Sequence, residues 1–144
     1  MSEFVWDDKK VINMAQRVTE TNMKRAVKFL EDVTKKALKH KGTGRLYKRK
    51  SVKHRASSPG QAPALDTGVL MNSITNEVAI DNKGNVAGKV GSDEDYIKSK
   101  SLGTDVNYGY YLEVGTRNIK RRPWLVSTRN KNLKRIAAIL EGKK

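Results

Sequence analysis

From residue 8 to about residue 40, Val11, Met14, Val18, Asn22, Ala26, Phe29, Val33 and Ala37 recur at steps of three and four, and Ala15 and Leu30 widen the stripe. That period belongs to one face of an α-helix and to no strand. Asp7 or Asp8 can cap its start, and Lys35, Lys36, Lys39 and Lys41 suit the negative end of its dipole. Gly42 and Gly44 stop it. At about 1.5 Å per residue such a rod is roughly 45–50 Å long. A chain of 144 residues is expected to form one domain with one modest core. The rod outruns that core, so it is expected to pack on something beyond its own domain, such as a neighbouring subunit. The alternative is a helix that breaks near Thr19–Asn22.

The rest of the chain reads as short elements. Residues 41–66 form a basic, extended, poorly patterned segment, because Pro59, Gly60 and Pro63 exclude helix there. Asp66-Thr67-Gly68 opens a single apolar turn, Val69-Leu70-Met71. Residues 73–91 read as a β-hairpin: Ile74, Val78 and Ile80 in the first strand, a turn at Asp81–Asn85, then Val86, Gly88 and Val90 alternating. Residues 93–107 form a polar loop without a period. Tyr108–Val114 is a short helix with Tyr108, Tyr111 and Leu112 on one face, ended by Gly115. Pro123 sits where a helix can begin. Leu125, Thr128, Asn132, Leu133, Ile136, Ile139 and Leu140 then give a C-terminal amphipathic helix. The expected fold class is α+β, with a long N-terminal helix, a small antiparallel sheet built around a hairpin, a short middle helix and a C-terminal helix, all in one domain over residues 1–144.

Charge narrows the partners. Thirty Lys and Arg against fifteen Asp and Glu leave +15, and the surplus is concentrated. No acid occurs between Val33 and Leu65, where Lys48, Arg49, Lys50, Lys53 and Arg55 lie. A second run contains Arg117, Lys120, Arg121 and Arg122. Such fields attract polyanions, either nucleic acid or acidic protein surfaces. No base-reading signature accompanies them. The longest apolar run, Ile136–Leu140, is too short to cross a bilayer. Acids at Glu3, Asp7 and Asp8 stand where a signal peptide needs cations, so the expectation is a soluble protein made and kept in a cytoplasm.

No catalytic constellation emerges. The chain has no cysteine, which excludes a thiol nucleophile and a Cys-ligated zinc site. His54, Ser57 or Ser58 and Asp66 make a Ser–His–Asp set on paper, but no nucleophile elbow surrounds the serines. His40 and His54 lack a second ligand at metal spacing. Asp93, Glu94 and Asp95 lack the oxygen spacing of an EF-hand. Gly42-Thr43-Gly44 lacks Walker spacing. Glu113, an acid in an apolar aromatic patch, is expected to hydrogen-bond backbone or to pair with Arg117 or Arg122. The expectation is a protein that is not an enzyme, with no cofactor and no metal.

Two segments together are distinctive. The first runs His54-Arg55-Ala56-Ser57-Ser58-Pro59-Gly60-Gln61-Ala62-Pro63-Ala64-Leu65-Asp66-Thr67-Gly68-Val69-Leu70-Met71-Asn72-Ser73-Ile74. The second is Tyr108-Gly109-Tyr110-Tyr111-Leu112-Glu113-Val114-Gly115-Thr116, followed by Arg122-Pro123-Trp124-Leu125. In this order, with a hairpin between them and a long helix before them, they resemble the tail-component proteins of tailed bacteriophages, the neck or tail-completion type of lambda-like phages. The resemblance spans about residues 8–140. Trp124 stands where that family usually has Phe, Ser127 where it often has a second Pro, and the 93–107 loop is longer than usual.

The resemblance implies a structural virion protein, assembled in the host cytoplasm, that forms a ring, commonly hexameric, at the head–tail junction. Its partners would be copies of itself, the adjoining head-completion or connector and tail-terminator or tail-tube proteins, and the double-stranded DNA of the channel, with no membrane. Either Lys48–Arg55 or Arg117–Arg122 would face the anion. Pro59, Gly60, Pro63, Asp66, Thr67, Gly68, Leu70, Ser73, Tyr108, Leu112, Glu113, Gly115, Thr116, Arg122, Pro123 and Trp124 would serve the fold or the subunit interface. A basic, sequence-nonspecific nucleic-acid-binding module is the alternative.

Overall fold

The computed structural model describes residues 7–100 and 108–144. The elements run α1 (Asp8–Ala37), β1 (Leu46–Arg49), β2 (Val52–Arg55), α2 (Val69–Ser73), β3 (Ile74–Ile80), β4 (Val86–Ser92), α3 (Glu94–Lys100), α4 (Tyr108–Val114), α5 (Leu125–Lys131) and α6 (Leu133–Leu140). The fold is α+β, with two separate antiparallel two-stranded sheets, β1–β2 and β3–β4.

Helix α1 is continuous through Thr19–Asn22 and is capped by Asp7, whose carboxylate accepts the Lys10 N–H at 3.0 Å. Its C-terminal half is packed. Ala26, Val27, Glu31 and Thr34 are buried against β3, β4, α5 and α6. Gly88 of β4 lies so close that a Cβ there would sit 2.5 Å from Val27 Cγ1. The N-terminal half is bare: Ile12, Met14 and Val18 are each about 60% exposed (62%, 61% and 60%).

One charged group ties α1 to the sheet. Glu31 is buried and accepts from Lys35 Nζ and from the Asn76 side chain of β3. Burial alone would raise its pKa, but these hydrogen bonds and the nearby Lys35 and Lys28 charges outweigh burial and hold it below the ordinary glutamate value. A carboxyl with a lowered folded-state pKa stabilises the fold above its unfolded pKa, and that contribution is lost as pH falls through the folded one. Glu31→Gln should therefore flatten the acid limb of the stability–pH curve and cost about 1–2 kcal/mol at neutral pH. Parallel wild-type and variant curves in urea titrations from neutral to acid pH would refute this.

The main core is Leu38, Leu70, Ile74, Ile97 and Trp124, with Tyr108, Leu112 and Leu125 packed around it. Three expectations need correction. Residues 41–66 are not simply extended, since they contain the β1–β2 hairpin, which pairs Leu46 with Arg55 and Lys48 with Lys53. Its alternating pattern is masked because nearly every position is exposed. The 93–107 stretch is not wholly a loop: the Asp93 carboxylate accepts the Tyr96 N–H and α3 follows, carrying the fully buried Ile97 into the core. Residues 101–107 of that stretch lie outside the described residues. The C-terminal helix is two helices, broken at Asn132, whose side chain donates to the Thr128 carbonyl at 2.8 Å. The 73–91 hairpin is present as β3–β4, and its turn is held by the Asp81 carboxylate accepting the N–H groups of Lys83 and Asn85.

Candidate functional site

The two distinctive segments, distant in sequence, are joined in space. Arg122 Nε donates to the Ser57 carbonyl at 3.2 Å, and the Gly60 N–H donates to the Arg121 carbonyl at 3.1 Å. Asp66-Thr67-Gly68 leads into α2 with Gly68 at the N-cap position, and Leu70 enters the core. Ser73 is buried and donates to the Leu70 carbonyl at 2.7 Å. Pro63 is buried beside this turn. Tyr108 packs against the core from α4, and burial, with the nearby Asp66 charge adding to it, raises its phenol pKa although it also bonds the Leu70 backbone.

Glu113 is where the second segment is organised. Its carboxylate accepts three backbone N–H groups, from Trp124 (2.7 Å), Leu125 (3.0 Å) and Val126 (3.1 Å). These are unsatisfied donors at the start of α5, so an acid eleven to thirteen residues upstream does what an N-cap residue normally does. Backbone is its partner, as the sequence suggested. Arg122 is not: its N–H bonds the Leu112 carbonyl, and its guanidinium turns to Ser57 and Lys120. Gly115 and Thr116 close the turn, Gly115 donating to the Tyr111 carbonyl and Thr116 to that of Ile119. Pro123 precedes the capped helix rather than starting it, because Trp124 occupies the N-cap position. Glu113→Ala should cost about 2 kcal/mol in denaturant unfolding, with Glu113→Gln losing less because one acceptor oxygen remains. An Ala variant as stable as the parent would refute the capping role.

The basic residues fall into distinct groups. In β1–β2, cross-strand partners share a face. Leu46, Lys48, Lys53 and Arg55 occupy one face; Tyr47, Arg49, Val52 and His54 occupy the other. Asp66 engages the second face, 3.3 Å from Arg49 Nη2 and 3.7 Å from His54 Nδ1. His54 and Asp66 thus lie side by side, but the Ser57 Oγ hydrogen-bonds to neither, so they do not form a connected triad with it. Lys48 and Lys53 stand directly opposite one another, and neither they nor Lys50 at the turn pair with an acid among the described residues. Like charges in that position repel. Arg117, Lys120 and Arg121 lie exposed in the turn between α4 and α5.

Between the hairpin and the body runs a groove of about 870 Å³. Leu38, Leu65, Leu70, Tyr108 and Leu112 line it, with Lys48, Lys100 and Arg122 among the cations. Ser57 also lines it, and its buried Oγ has no hydrogen-bond partner among the described residues. Sequence reasoning missed both hairpin and groove; Tyr47 and Val52 among alternating cations were the faint signal. Among the described residues no group of three or more His, Asp or Glu side chains is placed to hold a metal ion, and no helix is long and apolar enough to cross a membrane. Comparison with protein-family models, curated proteins and solved structures finds no match to this chain.

Proposed function

We propose that the chain is a structural subunit of the head–tail junction of a tailed phage, one of several copies in a ring, commonly hexameric, that joins tail to capsid around the DNA channel. The observation that carries this reading is the bare N-terminal half of α1. A helix whose inner half is packed and whose outer half presents Val11, Met14 and Val18 to solvent on one face has apolar surface that its own fold does not cover. Isolated exposed apolar residues are ordinary; a contiguous stripe at helical spacing marks an interaction surface. Its partners are neighbouring copies and the proteins of adjoining rings. The resemblance of the two joined segments to tail-component proteins supplies the class of assembly.

The cations agree with that setting. Rings of such subunits accumulate like charge, so assembly calls for an anionic counterpart, either an acidic neighbouring ring or duplex DNA. Virions made without this chain should accumulate as filled heads and separate tails under the electron microscope. Joined, infectious particles at normal yield would overturn the proposal. Changing Lys48, Arg49, Lys50 and Lys53 together to Gln should weaken ring assembly or DNA retention as salt rises; unchanged behaviour in both would remove the hairpin from the anion-facing role.

The opposed Lys48–Lys53 pair also favours a second reading, a lone subunit that binds nucleic acid through phosphates. In that case the slope of log affinity against log salt should fall by about 3–4 when Lys48, Lys50, Lys53 and Arg55 become Gln. A ring by native mass spectrometry supports the first reading. Tight, strongly salt-dependent DNA binding by a monomer supports the second.

A further inference from the structure

The groove beneath the β1–β2 hairpin has the complementary chemistry of one stretch of this chain. Its floor is apolar, built by Leu65, Leu70, Tyr108 and Leu112. Around it stand Lys48, Lys100 and Arg122, while Asp66, the one acid among the described residues that line it, is already engaged by Arg49 and His54. Such a site suits an apolar, aromatic peptide flanked by carboxylates. Glu3-Phe4-Val5-Trp6-Asp7-Asp8 is that peptide, an apolar triplet between acids with no cation inside it. The buried Ser57 hydroxyl, without a partner among the described residues, is a donor for an incoming carbonyl or carboxylate.

Geometry decides whose groove it enters. Helix α1 has thirty residues and is therefore about 45 Å long. Asp7 caps one end, and Leu38, which lines the groove, follows the other. Phe4 lies three residues before Asp7 and reaches at most about 11 Å from it. The segment cannot reach the groove of its own chain. We propose that Glu3–Trp6 of one copy docks in the groove of a second copy, beneath its basic hairpin. The contact joins two different surfaces, so it is head-to-tail and propagates into a ring or an open chain. It rests on the ring reading for the presence of neighbouring copies, and it names which surfaces mate.

The absence of cysteine makes the test direct. Phe4→Cys and Leu65→Cys proteins are mixed under mild oxidation and the disulfide-linked heterodimer is measured. A docked segment raises the effective concentration of the two thiols, so the yield should exceed that of Phe4→Cys mixed with Leu133→Cys, an exposed position on α6, by roughly tenfold. Tyr47→Cys gives a second groove position should Leu65→Cys fold poorly. The excess should shrink in 1 M salt and with Glu3→Gln added to the Phe4→Cys chain. Equal yields at groove and control positions would overturn the proposal, as would a dominant Leu65→Cys pair with itself, which places a different surface there. Native mass spectrometry of the parent chain separates the two readings. Closed assemblies without groove-directed cross-linking defeat the docking and leave the ring reading standing; groove-directed cross-linking with open chains only supports the docking and counts against the ring.

Discussion

Trp124→Ala should lower the unfolding free energy by about 3–5 kcal/mol, the range found for truncating a large buried aromatic side chain. Trp124 is 3% exposed and packs in the core with Leu38, Leu70, Ile74 and Ile97, and its Nε1–H donates to the Gly109 carbonyl at 3.0 Å. The same residue starts α5 beneath the Glu113 cap, so the cavity opens where α4, α5 and the core meet. For a chain of this size the melting temperature should fall by roughly 10–15 °C. Trp124→Phe separates the two contributions. It keeps most of the apolar volume and loses the hydrogen bond, leaving the Gly109 carbonyl without that donor, and should cost about 1–2 kcal/mol. An Ala variant within 1 kcal/mol of the parent, by denaturant or calorimetry, would show that Trp124 does not organise this core.

Gly42→Ala should be nearly as severe, by a different route. A Cβ at Gly42 would lie 2.0 Å from the Arg55 carbonyl oxygen and 2.2 Å from that of Ala56. Both obstacles are backbone, so no rotamer change relieves the overlap. The chain leaving α1 must then separate from the end of β2, disturbing the Gly44 N–H to Ala56 carbonyl and Ala56 N–H to Arg45 carbonyl hydrogen bonds that close the base of the hairpin. A cost of about 3 kcal/mol is expected, at the upper end for overpacking because backbone has to move. Amide hydrogen exchange should rise in 44–57 before it rises in the core. Unchanged protection in β1–β2 would refute the close approach as the reason for glycine at this position.

Much of the frame was legible in the sequence. The stripe from Val11 to Ala37 specified α1, Asp7 its start, the alternation of Ile74, Val78, Val86 and Val90 specified β3–β4, and Gly115 ended α4. Each signal acts within a few residues, through helical or strand period or through the φ that a turn demands. Helix α3 and the β1–β2 hairpin gave no such signal. Ile97 is the one buried residue of α3, and in β1–β2 only His54 is even half-buried, so neither carries two covered positions at a helical or strand period.

What the sequence determined by itself is therefore local: the long helix with its apolar stripe, the central hairpin, the two distinctive segments and the placement of charge. The tertiary structure alone decided which of those groups meet. It set Glu113 on the N–H groups of Trp124–Val126, Asp66 between Arg49 and His54, Glu31 against Asn76, and the two segments against each other through Arg122 and Ser57. Each of these contacts joins residues eleven to sixty-five positions apart. A hydrogen bond or ion pair forms wherever the fold carries two groups within about 3 Å of each other. Residue identity fixes what such a group can bond to, and chain closure in three dimensions fixes whether it does.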